Sequence, residues 1–335
     1  MSLLRAPEFW WRKAGPLAAL LYPAGTIYGA IANKRMARDG YRAKIPVICI
    51  GNPTLGGAGK TPTAIALGEW LKREDKKPFF LTRGYGGSEA GPLLADLSKH
   101  DANAIGDEAP LLVTVAPTVI AHDRAAGAKL AEERGAEVIV MDDGFQNPSL
   151  TKDFSILVVD GARGIGNGLV FPSGPLRAPL EPQLKRAQAM IVIGAGEAGE
   201  KAARLATERG LKVFRGELAS DPESAAALKS KRVLAFAGIG APEKFFRSLE
   251  AAGAIVAERR SFGDHHRYSG AEAAELLAKA TAGGLELVTT EKDLARMRDD
   301  IALVALYAKS SVLRVRLALD DESGLCAAIR NVLKI

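Results

Sequence analysis

Only two cysteines, Cys49 and Cys326, occur in 335 residues. That scarcity excludes a disulfide framework and a cysteine-rich zinc site, and it suits a reducing compartment. Histidine is scarce too: there are four, and two of them are neighbours at 265 and 266. No internal repeat and no low-complexity tract is present. Net charge is also absent once residues 1–44 are set aside. Those residues carry eight Lys and Arg against Glu8 and Asp39, which accounts for the whole net charge of +6. The remainder is formally neutral, so nucleic acid is not expected as a partner, and no protein partner can be read from the chain.

The N-terminus lacks an unbroken apolar span. Its uncharged run, 14–33, lies between two basic clusters and has about the length needed to cross a bilayer. Gly15, Pro16, Pro23, Gly25 and Gly29 interrupt it, and no small-residue cleavage site marks a signal peptide. Phe9, Trp10, Trp11, Tyr22 and Tyr28 suit a headgroup boundary, and the flanking cations suit anionic lipid heads. The expectation for 1–44 is a helical segment lying in or dipping into a membrane interface. The alternative is a helix packed on the protein's own core.

What the chain does have is a succession of short apolar, β-branched runs: 45–51, 78–82, 118–122, 137–142, 155–160 and 189–194. Helix-like stretches separate them, which predicts a parallel sheet covered on both faces. A second series follows at 232–237, 254–258, 285–290 and 312–319. Between the series, "RGELASDPESAAALKSK" is polar and reads as a linker, 216–231. The length favours two domains, 45–215 and 232–335.

One strand runs into glycines. In "VICIGNPTLGGAGKTPTAIALGEWL", strand, glycine loop, lysine and helix follow in order, although Thr54 stands where G-x-x-x-x-G-K-[ST] has its first glycine. The loop Thr54, Leu55, Gly56, Gly57, Ala58, Gly59, Lys60 and Thr61 predicts a phosphate cradle. Backbone N–H groups turn inward around the anion, Lys60 reaches β/γ-phosphates, and the Thr61 hydroxyl meets Mg²⁺. The following helix adds its positive end. The strand "VIVMDD" ends in Asp142 and Asp143, where a Walker B carboxylate holds the metal. ATP and Mg²⁺ are thus the expected ligands, on a doubly wound, mostly parallel P-loop NTPase-like α/β sheet with a second, smaller α/β domain.

The loop is also similar to that of ParA-like partitioning ATPases, which place a lysine before the paired glycines; here that position is Leu55. A GTPase is disfavoured because no N-K-x-D occurs, and "TEKD" at 290–293 has the wrong order. A switch ATPase without a phosphorylated acceptor is therefore the alternative to a kinase.

Further motifs appear in order: "LTRGYGG" (81–87), "GDEAPLL" (106–112), "AHDRAAGA" (121–128), "DDGFQN" (142–147), "GPLRAP" (174–179), "FGDHHRYS" (262–269) and "TTEKDLARM" (289–297). Together with the glycine loop they resemble the tetraacyldisaccharide 4′-kinase family, up to about residue 297; residues 298–335 carry no motif. The resemblance implies transfer of the ATP γ-phosphate to the 4′-hydroxyl of an acylated disaccharide 1-phosphate, giving lipid IVA. It also implies work at a membrane surface, on the cytoplasmic face of the inner membrane, as a peripheral or monotopic protein.

The same resemblance makes Asp107 the catalytic aspartate and His265 its partner. From the residues alone, Asp107 reads more readily as the cap of a helix at 107–115, and His265 reads equally well as a surface loop residue. Arg83, Arg124 and Arg177 stand near strand ends or in loops, and the resemblance gives them phosphate or acceptor contacts. Gln146 would orient water, metal or sugar. Glu291, Lys292 and Asp293 are placed facing the cleft, which would close around ATP.

Overall fold

The computed structural model describes residues 6–333. Among these residues thirteen strands form two sheets. In chain order they are β1 Val47–Gly51, β2 Pro78–Thr82, β3 Leu93–Leu94, β4 Thr118–Ile120, β5 Val138–Asp142, β6 Phe154–Asp160, β7 Ala189–Ile193, β8 Lys212–Ser220, β9 Arg232–Ala237, β10 Ile255–Ser261, β11 Glu286–Thr289, β12 Ser310–Val312 and β13 Val315–Leu319. The first sheet runs β13-β8-β7-β6-β1-β5-β2-β4-β3, and the second runs β10-β9-β11-β12. Every pairing is parallel except at the two edges of the large sheet, β13 on β8 and β3 on β4.

Strands β1, β2, β5 and β7 are buried at every position and largely apolar because both of their faces are covered. Alternation sorts their side chains: Val47, Cys49, Ile139 and Met141 enter the core on one face, while Ile48, Ile50, Val138 and Val140 enter the other. Parallel strands bring their C-terminal ends to one edge. There the loops after β1, β2 and β5 meet, the usual place for a ligand in such a sheet.

Two expectations need adjustment. The stretch 216–231 contains the last residues of β8, then the helix Pro222–Leu228, which Asp221 caps through Ser224 N–H. After the second sheet the chain returns: β13 pairs with β8, and the helix Glu322–Leu333 buries Leu325, Cys326, Ala328 and Ile329 in the first core. The second body therefore ends near residue 313. The alternating "VRLAL" of β13 fits a half-covered edge strand.

The N-terminal run is not interrupted. Helix α1, Pro16–Met36, continues through Pro23, and Pro16 sits in its first turn, where its missing N–H does no harm. Its glycines serve close approach rather than helix breaking. A Cβ on Gly25 would stand 2.7 Å from Ser173 Oγ and 2.8 Å from Val170 O. Ala18, Gly25, Gly29 and Met36 are buried along one stripe, so α1 packs on the body. Its other side leaves Leu17, Leu20, Tyr22, Ile27, Tyr28 and Ile31 exposed. No helix among the described residues is long and apolar enough to cross a membrane.

Candidate active site

Helix α2, Lys60–Arg73, begins where the glycine loop ends. Gly56 and Gly59 hold φ of 105° and 91°, values that L side chains resist, so the loop can turn its backbone around an anion. Asn52 pins the turn from beneath, donating from Nδ2 to Thr54 O at 2.6 Å and to Gly56 O at 2.9 Å. Leu55 N–H donates to Pro175 O at 2.7 Å, which ties the loop to the "GPLRAP" segment.

Arg177 completes that tie. Its Nε donates to Thr54 O at 3.0 Å, and its fork grips Asp143 at 2.9 and 3.2 Å. Lys60 Nζ approaches the same carboxylate at 3.6 Å. Burial alone would raise the Asp143 carboxyl, but Lys60 and then Arg177 outweigh it and hold it below the usual carboxylate range.

Asp142 has a different setting. It is fully buried at the end of β5, and Thr61 donates its hydroxyl to Oδ2 at 2.9 Å. Its Oδ1 is buried with no partner. Burial, then the nearby charge of Glu108, push its carboxyl up to about 7. A hard divalent cation fits here: a hydroxyl and an orphaned carboxylate oxygen lie side by side, and nucleotide phosphates and water supply the remaining oxygens. No cluster of three or more His, Cys, Asp or Glu with metal-binding geometry occurs among the described residues.

Across the cleft the second body supplies a matching set. Asp107 Oδ2 lies 2.6 Å from His265 Nδ1 and 2.9 Å from Arg296 Nε. Asp107 is therefore no helix cap; the adjoining helix Ala109–Val113 has no side-chain cap at all. Burial would raise its carboxyl, yet the His265 hydrogen bond and the Arg296 charge hold it low. His265 adopts φ of 56° and packs edge-on against Tyr85. His266 turns away, to Glu272 at 3.1 Å, and stacks on Phe262.

Lys292 donates to Glu108 Oε1 at 2.8 Å, beside Asp107, and this charge above all holds the Glu108 carboxyl low. Asp293 is buried instead of facing open cleft, accepting from Gly238 N–H, Tyr268 OH and Thr290 OH. Glu291 opens the helix Glu291–Met297, with Thr290 as its cap.

The other expected residues are spread along the same edge. Gln146 Nε2 donates to Asn52 O at 2.9 Å and to Gln183 Oε1 at 3.0 Å, so it too braces the loop. Arg124 is buried, with Nη1 donating to Ala121 O and Nε finding no acceptor; burial and the charge of Arg83 push it down. Arg83 is exposed at the mouth. Asn52, Glu108 and Arg296 are site residues that sequence reading did not single out. The last two stand inside quoted motifs, but their partners lie far along the chain.

Comparison with known proteins is consistent with this geometry. The family described as tetraacyldisaccharide-1-P 4′-kinase matches residues 17–334. The tetraacyldisaccharide 4′-kinase of Methylobacterium sp. (strain 4-46) is 52% identical over 334 residues, 99% of this chain and 98% of its own. That of Xanthobacter autotrophicus is 56% identical over 295 residues, 88% and 86% of the two chains. Among solved structures, the "apo" form of LpxK from Aquifex aeolicus in complex with ATP superposes with a TM-score of 0.75 at 28% identity. It covers 95% of this chain and 99% of its own.

Proposed function

The chain belongs to the tetraacyldisaccharide-1-P 4′-kinase family, and from that membership we propose how its cleft works. The protein is an ATP-dependent kinase that transfers the γ-phosphate to the 4′-hydroxyl of tetraacyldisaccharide 1-phosphate, forming lipid IVA in lipid A biosynthesis. One observation carries the assignment of roles: a buried carboxylate, Asp107, meets the half-buried imidazole of His265 from the opposite side of the cleft, beside Glu108, whose carboxyl feels the charge of Lys60 in the glycine loop.

In this reading the loop 54–61 wraps the triphosphate, and Lys60 leaves Asp143 to meet the β/γ oxygens. Thr61 and Asp142 would hold Mg²⁺, with the orphaned Asp142 Oδ1 as the support for that choice; Asp143 keeps Arg177 and the loop in place beside it. When bound, the cation neutralises charge on the transferring phosphoryl group. Asp107 accepts the proton of the 4′-hydroxyl, and His265 orients it and shares the proton. Arg83 and Arg124 stand for phosphate or acceptor contacts, while Arg177 and Gln146 keep the loop in shape for them.

The acceptor is a membrane lipid, and the exposed apolar face of α1, with Phe171 beside Tyr28, supports docking at a bilayer surface. We assign the protein to the cytoplasmic face of the inner membrane as a peripheral protein.

The test is incubation with γ-labelled ATP, Mg²⁺ and the acylated disaccharide phosphate in detergent micelles. Label is expected on the lipid, and Asp107→Ala is expected to abolish it while nucleotide still binds. Label released only as free phosphate would sink the kinase reading. Full turnover in Asp107→Ala would sink the role of that residue alone.

A further inference from the structure

Arg296 is an unusual cation. Its side chain is 2% exposed, and it bridges two carboxylates that belong to different bodies of the molecule. Nη1 donates to Asp293 Oδ1 at 2.7 Å and to Gly238 O at 2.8 Å, while Nε stands 2.9 Å from Asp107 Oδ2. A surface ion pair contributes little, but a guanidinium withdrawn from water at this depth is retained only with strong compensation. Asp293 supplies part of it and is itself clamped by Tyr268, Thr290 and the Gly238 amide. The cation is therefore rigidly mounted on the second body and presented to the first.

The consequence falls on one oxygen. His265 Nδ1 hydrogen-bonds Asp107 Oδ2, and Arg296 Nε stands 2.9 Å from the same oxygen as an ion pair without hydrogen-bond geometry, so its hold is one of charge. Oδ1 accepts no hydrogen bond among the described residues, and it is not sealed from solvent as the orphaned Asp142 Oδ1 is. We infer that Arg296, mounted on Asp293, is a positioning residue for phosphoryl transfer: it turns Asp107 so that Oδ1 alone meets the acceptor hydroxyl. This rests on Asp107 being the base. The charged groups facing Asp107 are His265 from the loop after β10 and Arg296 from the helix Glu291–Met297. Asp264 lies behind the histidine, and Glu108, its neighbour in the chain, is matched by Lys292. Arg296 is thus the permanent cation of the set, so its removal raises the carboxyl whatever the state of the imidazole.

The experiment compares Arg296→Gln, Arg296→Lys, Asp107→Asn and the double variant Arg296→Gln/Asp107→Asn in the full-length enzyme, with ATP and micellar acceptor. Arg296→Gln is expected to lower kcat roughly 10- to 100-fold, with KM for ATP within about twofold, and to move the acid limb of the kcat/KM profile to higher pH. Arg296→Lys keeps the charge but cannot reach Gly238 O, Asp293 and Asp107 together. Its kcat is expected to fall about 3- to 10-fold, with the acid limb near its original place.

The double variant is expected to be no slower than Asp107→Asn, because both changes disable one proton acceptor. Full turnover in Asp107→Asn removes the premise. A dead Asp107→Asn beside an Arg296→Gln with unmoved kcat and acid limb removes the inference and leaves the premise. If the glutamine variant does not fold, unchanged kcat in Arg296→Lys overturns it equally.

Discussion

Replacing Leu20, Ile27 and Ile31 together with glutamine is the sharpest test of the membrane assignment. In the structure these side chains are 75%, 65% and 64% exposed, about two whole side chains of apolar surface on one side of α1. The opposite stripe, Ala18, Gly25, Gly29 and Met36, does the packing. The fold therefore loses nothing, and glutamine is a slightly better helix former than isoleucine, so thermal stability is expected within about 0.5 kcal/mol per site. A bilayer would register the change differently. Full burial of a Leu or Ile contributes about 1.5–3 kcal/mol, so two equivalents contribute ~3–6 kcal/mol, and about half of that for a helix lying shallow in the interface. At 1.4 kcal/mol per decade, vesicle partitioning should weaken by roughly 10-fold at the shallow limit, and by about 100- to 10,000-fold if burial is complete. The assay is sedimentation with anionic phospholipid vesicles, beside turnover on a short-chain, detergent-soluble acceptor, which should be retained. Partitioning within about threefold of wild type would refute the reasoning, and with it the view that α1 meets lipid.

Other outcomes follow from the same geometry. Gly25→Leu should detach or distort α1 because a Cβ there already collides with Ser173 and Val170; a thermal melt lowered by about 1–3 kcal/mol of stability is expected. Lys60→Ala should weaken ATP binding and turnover together, whereas His265→Ala should cut kcat by about 10²–10⁴ with ATP affinity unchanged, as read by single-turnover kinetics. Chelation of divalent cations should abolish transfer, and Asp142→Asn should demand more Mg²⁺, seen in a metal titration at fixed ATP. The Asp107 carboxyl is held low by His265 and Arg296, so what that set contributes to stability is present above the unfolded carboxylate's range and disappears as pH falls through the depressed folded value. Denaturant midpoints measured down the acid range should show Asp107→Asn losing pH dependence there.

Much of this architecture was legible because its signals are local. Apolar runs such as "VICIG" and "VIVMD" announce strands covered on both faces, and a glycine loop ending in Lys60 and Thr61 announces a cradle. The ordered motifs carried the family resemblance, which the match over 17–334 bears out. What was illegible depends on partners far along the chain. Nothing near Glu108 tells of Lys292, 184 residues on, and nothing in "DLARM" tells that its arginine reaches Asp107. Pro23 and the glycines of α1 looked like interruptions because propensity speaks for isolated helices; here residues 170–179 supply the contact that needs small side chains. The return of β13 was hidden for a similar reason, since an alternating edge strand carries no mark of which sheet it joins.

The division of the proposed catalytic pair, Asp107 and His265, between two bodies makes one more demand on the molecule. Among the described residues every apolar cluster lies wholly on one side of the cleft. The contacts across it are mainly polar: Asp107 with His265 and Arg296, Glu108 with Lys292, Leu97 O with Arg298, Asp160 with Lys244, beside the edge-on packing of Tyr85 on His265. Surfaces joined mainly by hydrogen bonds and ion pairs separate more readily than a shared core does. The two crossings between the bodies are cross-linked at their base, where Asp221 N–H donates to Arg314 O at 2.9 Å and Arg316 holds the Asp221 carboxylate at 2.9 Å. Motion should therefore be a hinge about this point, closing the base onto a bound nucleotide and excluding water that would otherwise take the phosphoryl group. Both native cysteines are buried, so spin labels placed on the exposed faces of helices Glu197–Thr207 and Gly270–Gly283 report that distance cleanly. The distribution should be broad without nucleotide, narrow with a non-hydrolysable ATP analogue and Mg²⁺, and broad again at high salt. Identical distributions in all three conditions would show that the cleft is rigid and that water is kept out by some other means.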